Sequence, residues 1–193
     1  MTTSTIYFPP RSTSLLLLTA ALSILVSSCA GGDKFLQAPF AEESSLVFGY
    51  IDMTDAPSDI RWIQMKKIRS ESKTPYYSMR VEKGMIYRAY VPDGLYKFDK
   101  FGGYSFRLGG IEMTYAFPSQ GKQEIDPVIK GPGIYYVGAY KYQKLDAPAL
   151  EIRYRLVRVN QPTEEELLRR LLDKAVHPSW KERIEQRLKE IRK

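Results

Sequence analysis

The chain has 193 residues, of which 26% are charged, and a net charge of +7 with a sequence pI of about 9.3. Its single cysteine excludes a fold stapled by disulfide bonds within the chain, so a hydrophobic core has to stabilise it. The length suits one compact domain with an appendage. The excess positive charge forms no long block, and no motif typical of nucleic-acid binding is present.

The first 28 residues carry one charge, Arg11, ahead of an apolar run from Leu15 to Val26. At about 1.5 Å per residue this run spans roughly 18 Å as a helix, short of the ~30 Å core of a bilayer. A weakly positive start, a short apolar run and small residues after it are typical of a secretory signal peptide. A buried core helix is the alternative, which the absence of a polar face disfavours. We therefore predict that residues 1–28 are a signal peptide.

The only cysteine follows this segment directly. The sequence Val26-Ser27-Ser28-Cys29 resembles the lipobox of bacterial lipoproteins. This resemblance implies cleavage before Cys29, a diacylglycerol thioether on its sulfur and usually an acylated amino group. Two alternatives are ordinary cleavage near Ala30 and a free thiol, which would be open to oxidation in an exported protein. Lipidation would attach the protein to a membrane through its acyl chains without spanning it.

The lipoprotein resemblance also implies a location in the cell envelope. In Gram-negative lipoproteins an aspartate after the modified cysteine favours retention at the inner membrane. Ala30 occupies that position, so the resemblance implies the outer membrane, facing the periplasm, if the host is Gram-negative. Removing residues 1–28 leaves 28 basic and 22 acidic side chains, a net charge of +6 that suits an anionic membrane or cell-wall surface. An exported protein rarely meets nucleic acid, so we expect no nucleic-acid partner.

Composition divides the mature chain into three parts. Residues 29–44 are predicted to be the lipidated cysteine and a flexible tether, because Gly, Pro and small residues follow one another without periodicity. The 15 residues from 30 to 44 would then have an end-to-end distance of roughly 20 Å. Residues 45–160 are predicted to form a β domain, and residues 161–193 a helical hairpin.

Runs rich in Val, Ile, Tyr and Phe alternate with turn residues through the β domain, as in an all-β sandwich or barrel. The predicted strands are 46–52, 60–69, 76–82, 85–91, 95–101, 104–108, 112–117, 123–129, 133–142 and 150–159. The last strand has the clearest period of two, with Tyr154 and Leu156 on one face and Arg153 and Arg155 on the other. Turns are predicted at 54–59, 82–84, 92–94, 102–103, 109–110 and 130–133.

Residues 46–101 weakly resemble prealbumin-like and carboxypeptidase-regulatory-like β-sandwich modules of bacterial surface proteins. The residues that carry the likeness are Gly49-Tyr50-Ile51 in the first strand and Pro92-Asp93-Gly94-Leu95-Tyr96 at the start of a later one. The resemblance implies an antiparallel, Ig-like or prealbumin-like β-sandwich, and it supplies no active-site residue.

The last 33 residues have the pattern of two helices. Thr163-x-x-Glu166 and Ser179-x-x-Glu182 both match the capping box, and Pro178 separates the two segments. The apolar stripes consist of Leu167, Leu168, Leu171, Leu172 and Ala175 in the first helix, and Trp180, Ile184, Leu188 and Ile191 in the second. These stripes have to be buried, either on the β domain or on a partner protein.

No residue pattern predicts catalysis, a metal site or a cofactor. His177 lacks neighbouring ligand or carboxylate partners, so we interpret it as a helix-end histidine. The spacing of Asp52, Asp55 and Asp59 is not that of a calcium loop, and we assign these residues to turns.

Tyr136, Tyr140 and Tyr142 are predicted to share one strand face with Ile134. Such a face is either a platform for sugar rings or ordinary buried tyrosine beneath the C-terminal helices. The leading hypothesis is a lipid-anchored envelope protein with a non-enzymatic structural or assembly role and an envelope protein as partner. The alternative is a glycan- or peptidoglycan-binding module that uses these tyrosines, and an enzyme ranks third.

Overall fold

The computed structural model describes residues 45–68, 76–105, 109–117, 125–146 and 153–193. The predicted signal peptide, the lipidated Cys29 and the tether lie outside the described residues. The described strands are β1 (Ser45–Asp52), β2 (Trp62–Lys67), β3 (Tyr76–Glu82), β4 (Met85–Val91), β5 (Gly94–Ser105), β6 (Ile111–Ala116), β7 (Val128–Ile129), β8 (Gly133–Leu145) and β9 (Arg153–Val159). Two helices follow, α1 (Glu164–Lys174) and α2 (Pro178–Glu190).

The strands join into a single mixed sheet in the order β6-β5-β2-β3-β4-β1-β8-β9, with β7 paired to β5. The pairing of β1 with β8 is parallel, and the other described pairings are antiparallel. The sheet curls so far that its two edge strands are in contact. The Tyr154 hydroxyl of β9 donates a hydrogen bond to the Ala116 carbonyl of β6. The predicted mainly-β domain with two C-terminal helices is confirmed. The predicted antiparallel sandwich differs from this structure in two respects, since the strands form one curled sheet and the β1–β8 pair is parallel.

Most predicted strands occur at or near their predicted positions, and β3 and β4 have the predicted bounds. The main difference is β5, which continues through the turn predicted at Gly102-Gly103. Glycine is needed there for close packing, not for a bend. A Cβ atom on Gly102 would lie 2.4 Å from the Met113 carbonyl oxygen, and one on Gly103 would lie 2.2 Å from the Asp59 carbonyl oxygen.

The inner side of the curled sheet holds the larger hydrophobic core. Its fully buried side chains include Val47, Ile63, Met65, Phe98 and Phe101. Aromatic rings join its two edges, since Tyr115 of β6 meets both Tyr154 of β9 and Tyr142 of β8 edge to face, with ring centroids 5.4 Å and 6.2 Å apart. Tyr154 and Leu156 pack against this core while Arg153 and Arg155 are exposed, as the period of two in β9 predicts.

The two helices pack on the outer side of the sheet and form a second core there. Their leucines, with Trp180 and Ile184, contact β1 and β4 through Leu46, Phe48, Met85, Tyr87 and Ala89. The predicted apolar stripes are therefore buried on the chain's own sheet. Helix α1 has the predicted capping box, since Thr163 Oγ1 accepts from the Glu166 amide at 3.2 Å and the Glu166 carboxylate accepts from the Thr163 amide at 2.7 Å.

Helix α2 begins differently from the prediction. Pro178 is its first residue, and His177 is the N-cap instead of Ser179. The His177 Nδ1 atom accepts from the Ser179 amide at 3.3 Å and lies 2.7 Å from the Ser179 hydroxyl. The interpretation of His177 as a helix-end histidine is confirmed.

Candidate functional site

The three tyrosines predicted to share a face of β8 lie on opposite sides of the sheet. Tyr140 and Tyr142 belong to the inner core and are 5% and 1% exposed. Tyr136 lies on the outer side, where its ring is 5.4 Å from that of Phe48 and its hydroxyl donates to the Pro162 carbonyl at 3.3 Å. The predicted common face is wrong, and the two inner tyrosines present no exposed ring to a glycan.

A β-bulge in β8 explains the difference. Phe48 pairs with Tyr136, but Tyr50 pairs with Ala139, so β8 carries one more residue than β1 between these pairs. Gly138 is in the extra stretch and has a φ of +103°, which glycine adopts readily. The extra residue reverses the alternation of side chains after Val137. A strict period of two, which the sequence prediction used, fails at this position.

The three aspartates do not form a common site. Asp52 Oδ1 accepts hydrogen bonds from the amide and the hydroxyl of Thr54, which is the predicted turn role. Burial would raise the pKa of Asp52, but these bonds and the positive charge of Lys141 together outweigh it and hold that pKa below its ordinary value. Asp55 pairs with Lys141 at 2.8 Å, and Asp59 accepts from the Tyr104 amide at 2.9 Å.

A cavity of about 520 Å³ opens where β1 ends, beside the turn between β3 and β4. The carboxylates in its wall already have partners, since Asp59 pairs with Arg61, Glu82 pairs with Lys174 and Asp52 accepts from Thr54. Among the described residues, no group of three or more His, Cys, Asp and Glu side chains is placed to hold a metal ion.

The outer side of the sheet is covered over only part of its width. The helices lie over β1 and β4, whereas the outward side chains of β3, β2 and β5 form a surface that we call the open face. It consists of Trp62, Gln64, Lys66, Ile68, Tyr76, Ser78, Arg80, Leu95, Lys97 and Lys100, together with Val128 beside β5. Lys66, Tyr76, Ser78, Arg80 and Lys100 are exposed, whereas Ile63 and Met65, which alternate with the outward residues of β2, are fully buried.

Positively charged side chains and an aromatic ring are neighbours on the open face. Lys66 pairs across the strands with Tyr76 on one side and with Lys97 on the other. The ammonium group of Lys66 lies 5.6 Å from the centroid of the Tyr76 ring, a distance suited to a cation–π contact. Lys100 pairs with Gln64 one step further along. The Trp62 indole donates to the Glu112 carboxylate at 3.2 Å.

Three aliphatic side chains at one end of the open face form what we call the aliphatic row. They are Ile68, Leu95 and Val128, with 37%, 40% and 38% of their surface exposed. The Ile68 amide donates to the Leu95 carbonyl at 2.8 Å, and Leu95 pairs with Val128 across β5 and β7. The row is therefore continuous. Lys130, also exposed, follows β7 directly.

The aliphatic row lies at the end of the sheet where the chain enters β1. Ser45, the first residue of β1, pairs with Val91 at the end of β4, and β5 begins three residues later at Gly94. Gly94 pairs with Ile129, and the Ser45 hydroxyl donates to the Gly131 carbonyl at 2.8 Å. The start of β1, the aliphatic row and Lys130 therefore share one end of the sheet.

The sequence contains only a weak signal for this surface. Lys66 and Lys67 stand out as one of the longest basic clusters, but nothing in the sequence shows that Tyr76 and Lys97 flank them. Those neighbours depend on strand pairing, which joins residues far apart in the chain.

In the part of the chain that the structure describes, no helix is long and apolar enough to cross a membrane. No protein-family model, no curated protein and no solved structure matches this chain.

Proposed function

We propose that this chain is a lipid-anchored protein of the bacterial cell envelope with a non-enzymatic structural or assembly role, and that the open face is its interaction surface. The observation that supports this interaction surface is that the helices cover only part of the outer side of the sheet. The chain's own helices cover β1 and β4, and the neighbouring strands keep exposed cations, an exposed tyrosine and the aliphatic row. Exposed apolar groups set among charges are typical of interaction sites.

The anchor rests on the sequence alone. The short apolar run followed by Val26-Ser27-Ser28-Cys29 supports processing before Cys29 and acylation of its sulfur. With Ala30 after the cysteine, we propose an outer-membrane location facing the periplasm for a Gram-negative host. The helices are not the interaction element in this proposal, because their apolar stripes are already buried on the sheet.

Intact mass spectrometry of the protein from a membrane fraction tests the anchor. We expect a chain that begins at Cys29 and carries acyl chains, whereas the Cys29→Ala variant stays unprocessed and unacylated. A soluble, unmodified chain cleaved elsewhere would refute the lipoprotein proposal.

Site-directed photo-crosslinking in cells tests the interaction surface. A crosslinking residue at Ser78, exposed on the open face, is compared with one at Glu185, exposed on α2. We expect adducts from position 78 and few from position 185. Equal yields from both positions would show that the open face has no special role.

A further inference from the structure

We propose that the open face binds directly to an anionic lipid surface, so that the folded domain lies on the membrane that holds its anchor. This inference rests on the proposed function, since it names the partner of the same surface. Lys66, Lys100 and Lys130 supply exposed positive charge, and the aliphatic row with Tyr76 supplies exposed apolar surface.

This combination of groups suits the boundary of a bilayer. Lysine stems lie along apolar surface while their ammonium groups stay among the head groups. Aliphatic side chains enter the boundary between head groups and acyl chains, and tyrosine is favoured there because one end of it is apolar and the other polar. Against these groups stands a pair of exposed carboxylates, that of Asp93 in the turn between β4 and β5 and that of Glu112 beside Trp62. The cations outnumber them, so the charge of this end complements an anionic surface.

The path of the chain favours the same arrangement. The 15 residues from 30 to 44 connect the proposed anchor to Ser45. Even fully extended they reach only about 50 Å. Ser45 lies at the end of the sheet that carries the aliphatic row and Lys130. The end that the anchor holds nearest to the membrane is therefore the end whose side chains suit a lipid surface.

The size of the surface also favours lipid over a tightly bound protein. A stable protein interface buries about 1,200–2,000 Å², more than half of it apolar, whereas the exposed aliphatic surface here comes from three side chains that are each less than half exposed. A domain already tethered to the membrane needs only weak affinity for it, because the tether keeps the local concentration of lipid high. The protein would thus be attached to the membrane at two places, through its anchor and through the open face.

Vesicle co-sedimentation of the unacylated mature chain, residues 29–193 with Cys29→Ala, tests the inference apart from the anchor. This chain contains all the described residues of both cores. Vesicles of phosphatidylcholine alone are compared with vesicles of equal parts phosphatidylcholine and phosphatidylglycerol. We expect binding to the mixed vesicles that weakens with added salt, and little binding to phosphatidylcholine alone.

Two triple variants with the same change in net charge provide the control. Lys66→Glu with Lys100→Glu and Lys130→Glu changes the open face and the end beside it, and we expect affinity for the mixed vesicles to fall at least about tenfold. Lys181→Glu with Lys189→Glu and Lys193→Glu changes exposed residues of α2 and the C-terminus, and we expect it to bind nearly as well as the parent. If a triple variant fails to fold by circular dichroism, the single variants Lys66→Glu and Lys181→Glu are compared instead.

The outcomes separate this inference from the proposed function. No binding to the mixed vesicles, or an equal loss in both triple variants, would overturn the inference and leave the anchor untouched. An unacylated protein in cells would refute the anchor, whatever the vesicles show. Binding that only the open-face variant loses would support the inference.

Discussion

The Trp180 indole nitrogen donates a hydrogen bond to the Tyr90 hydroxyl over 3.3 Å, and the two rings meet edge to face with centroids 5.6 Å apart. Tyr90 belongs to β4 and Trp180 to the first turn of α2, where its side chain is fully buried. This pair joins the first turn of α2 to β4, and Ile184 and Leu188 add further contacts of the same helix with the outer core.

We expect Trp180→Ala to lower the free energy of unfolding by about 3–5 kcal/mol, because the change leaves a cavity in the outer core. Tyr90→Phe keeps the ring and removes the hydrogen bond, so its cost should be about 1 kcal/mol. Urea unfolding followed by circular dichroism measures both. Equal stability of Trp180→Ala and the parent would mean that α2 does not depend on this contact.

The capping box of α1 predicts a different effect for two substitutions of one residue. Thr163→Ala removes the oxygen that accepts from the Glu166 amide, and we expect a loss of about 1 kcal/mol. Thr163→Ser keeps that oxygen and should stay close to the parent. Thermal unfolding separates them, and a Thr163→Ser variant as unstable as Thr163→Ala would argue against the cap.

The bulge in β8 predicts that Gly138 is harder to replace than another glycine with positive φ. A Cβ atom at Gly138 would lie 2.9 Å from Cε2 of the Tyr140 ring, whereas one at Gly109 has no neighbour within 4 Å. A side chain at either position would strain the backbone, because φ is positive at both. Only Gly138→Ala adds overpacking, so it should be less stable than Gly109→Ala by about 1–3 kcal/mol. Matched unfolding curves for the two variants would contradict this explanation.

The inner core predicts that stability falls in alkaline solution. Burial raises the pKa of Tyr154 above its ordinary value, and the neighbouring Tyr115 and Tyr142 raise it further. Burial is also the main reason why the pKa of Tyr96 is raised, with a further contribution from Tyr77. The folded state therefore favours the neutral phenol, while the unfolded chain ionises at a pH of about 10.

The stabilisation from these tyrosines is complete below pH ~10 and is lost as the pH rises above that value, by up to about 1.4 kcal/mol per pH unit for each tyrosine. Urea unfolding at several alkaline pH values measures this slope. The variant Tyr154→Phe cannot ionise there, so its stability should fall less steeply than that of the parent. Parallel slopes would show that Tyr154 does not contribute.

The candidate site was only partly predictable, and β8 and β5 show why. The tyrosines of β8 are a visible feature of the sequence, but the bulge at Gly138 separates Tyr136 from Tyr140 and Tyr142. In β5, Phe98 and Phe101 both point into the inner core although they are three residues apart, because the register shifts between these positions. A bulge reflects how two strands fit together, so the sequence of one strand does not reveal it.

The sequence by itself determined the elements of this protein. Alternating or apolar runs specify most of the strands, and the leucine stripes with the Thr163 cap specify the helices. These features depend on residues close together in the chain, which set local conformation. Only the tertiary structure decided the parallel pairing of β1 with β8, the burial of Trp180 beside Tyr90 and the exposure of the open face. Those features depend on contacts between distant segments, in which each surface is buried or exposed according to what the rest of the chain places against it.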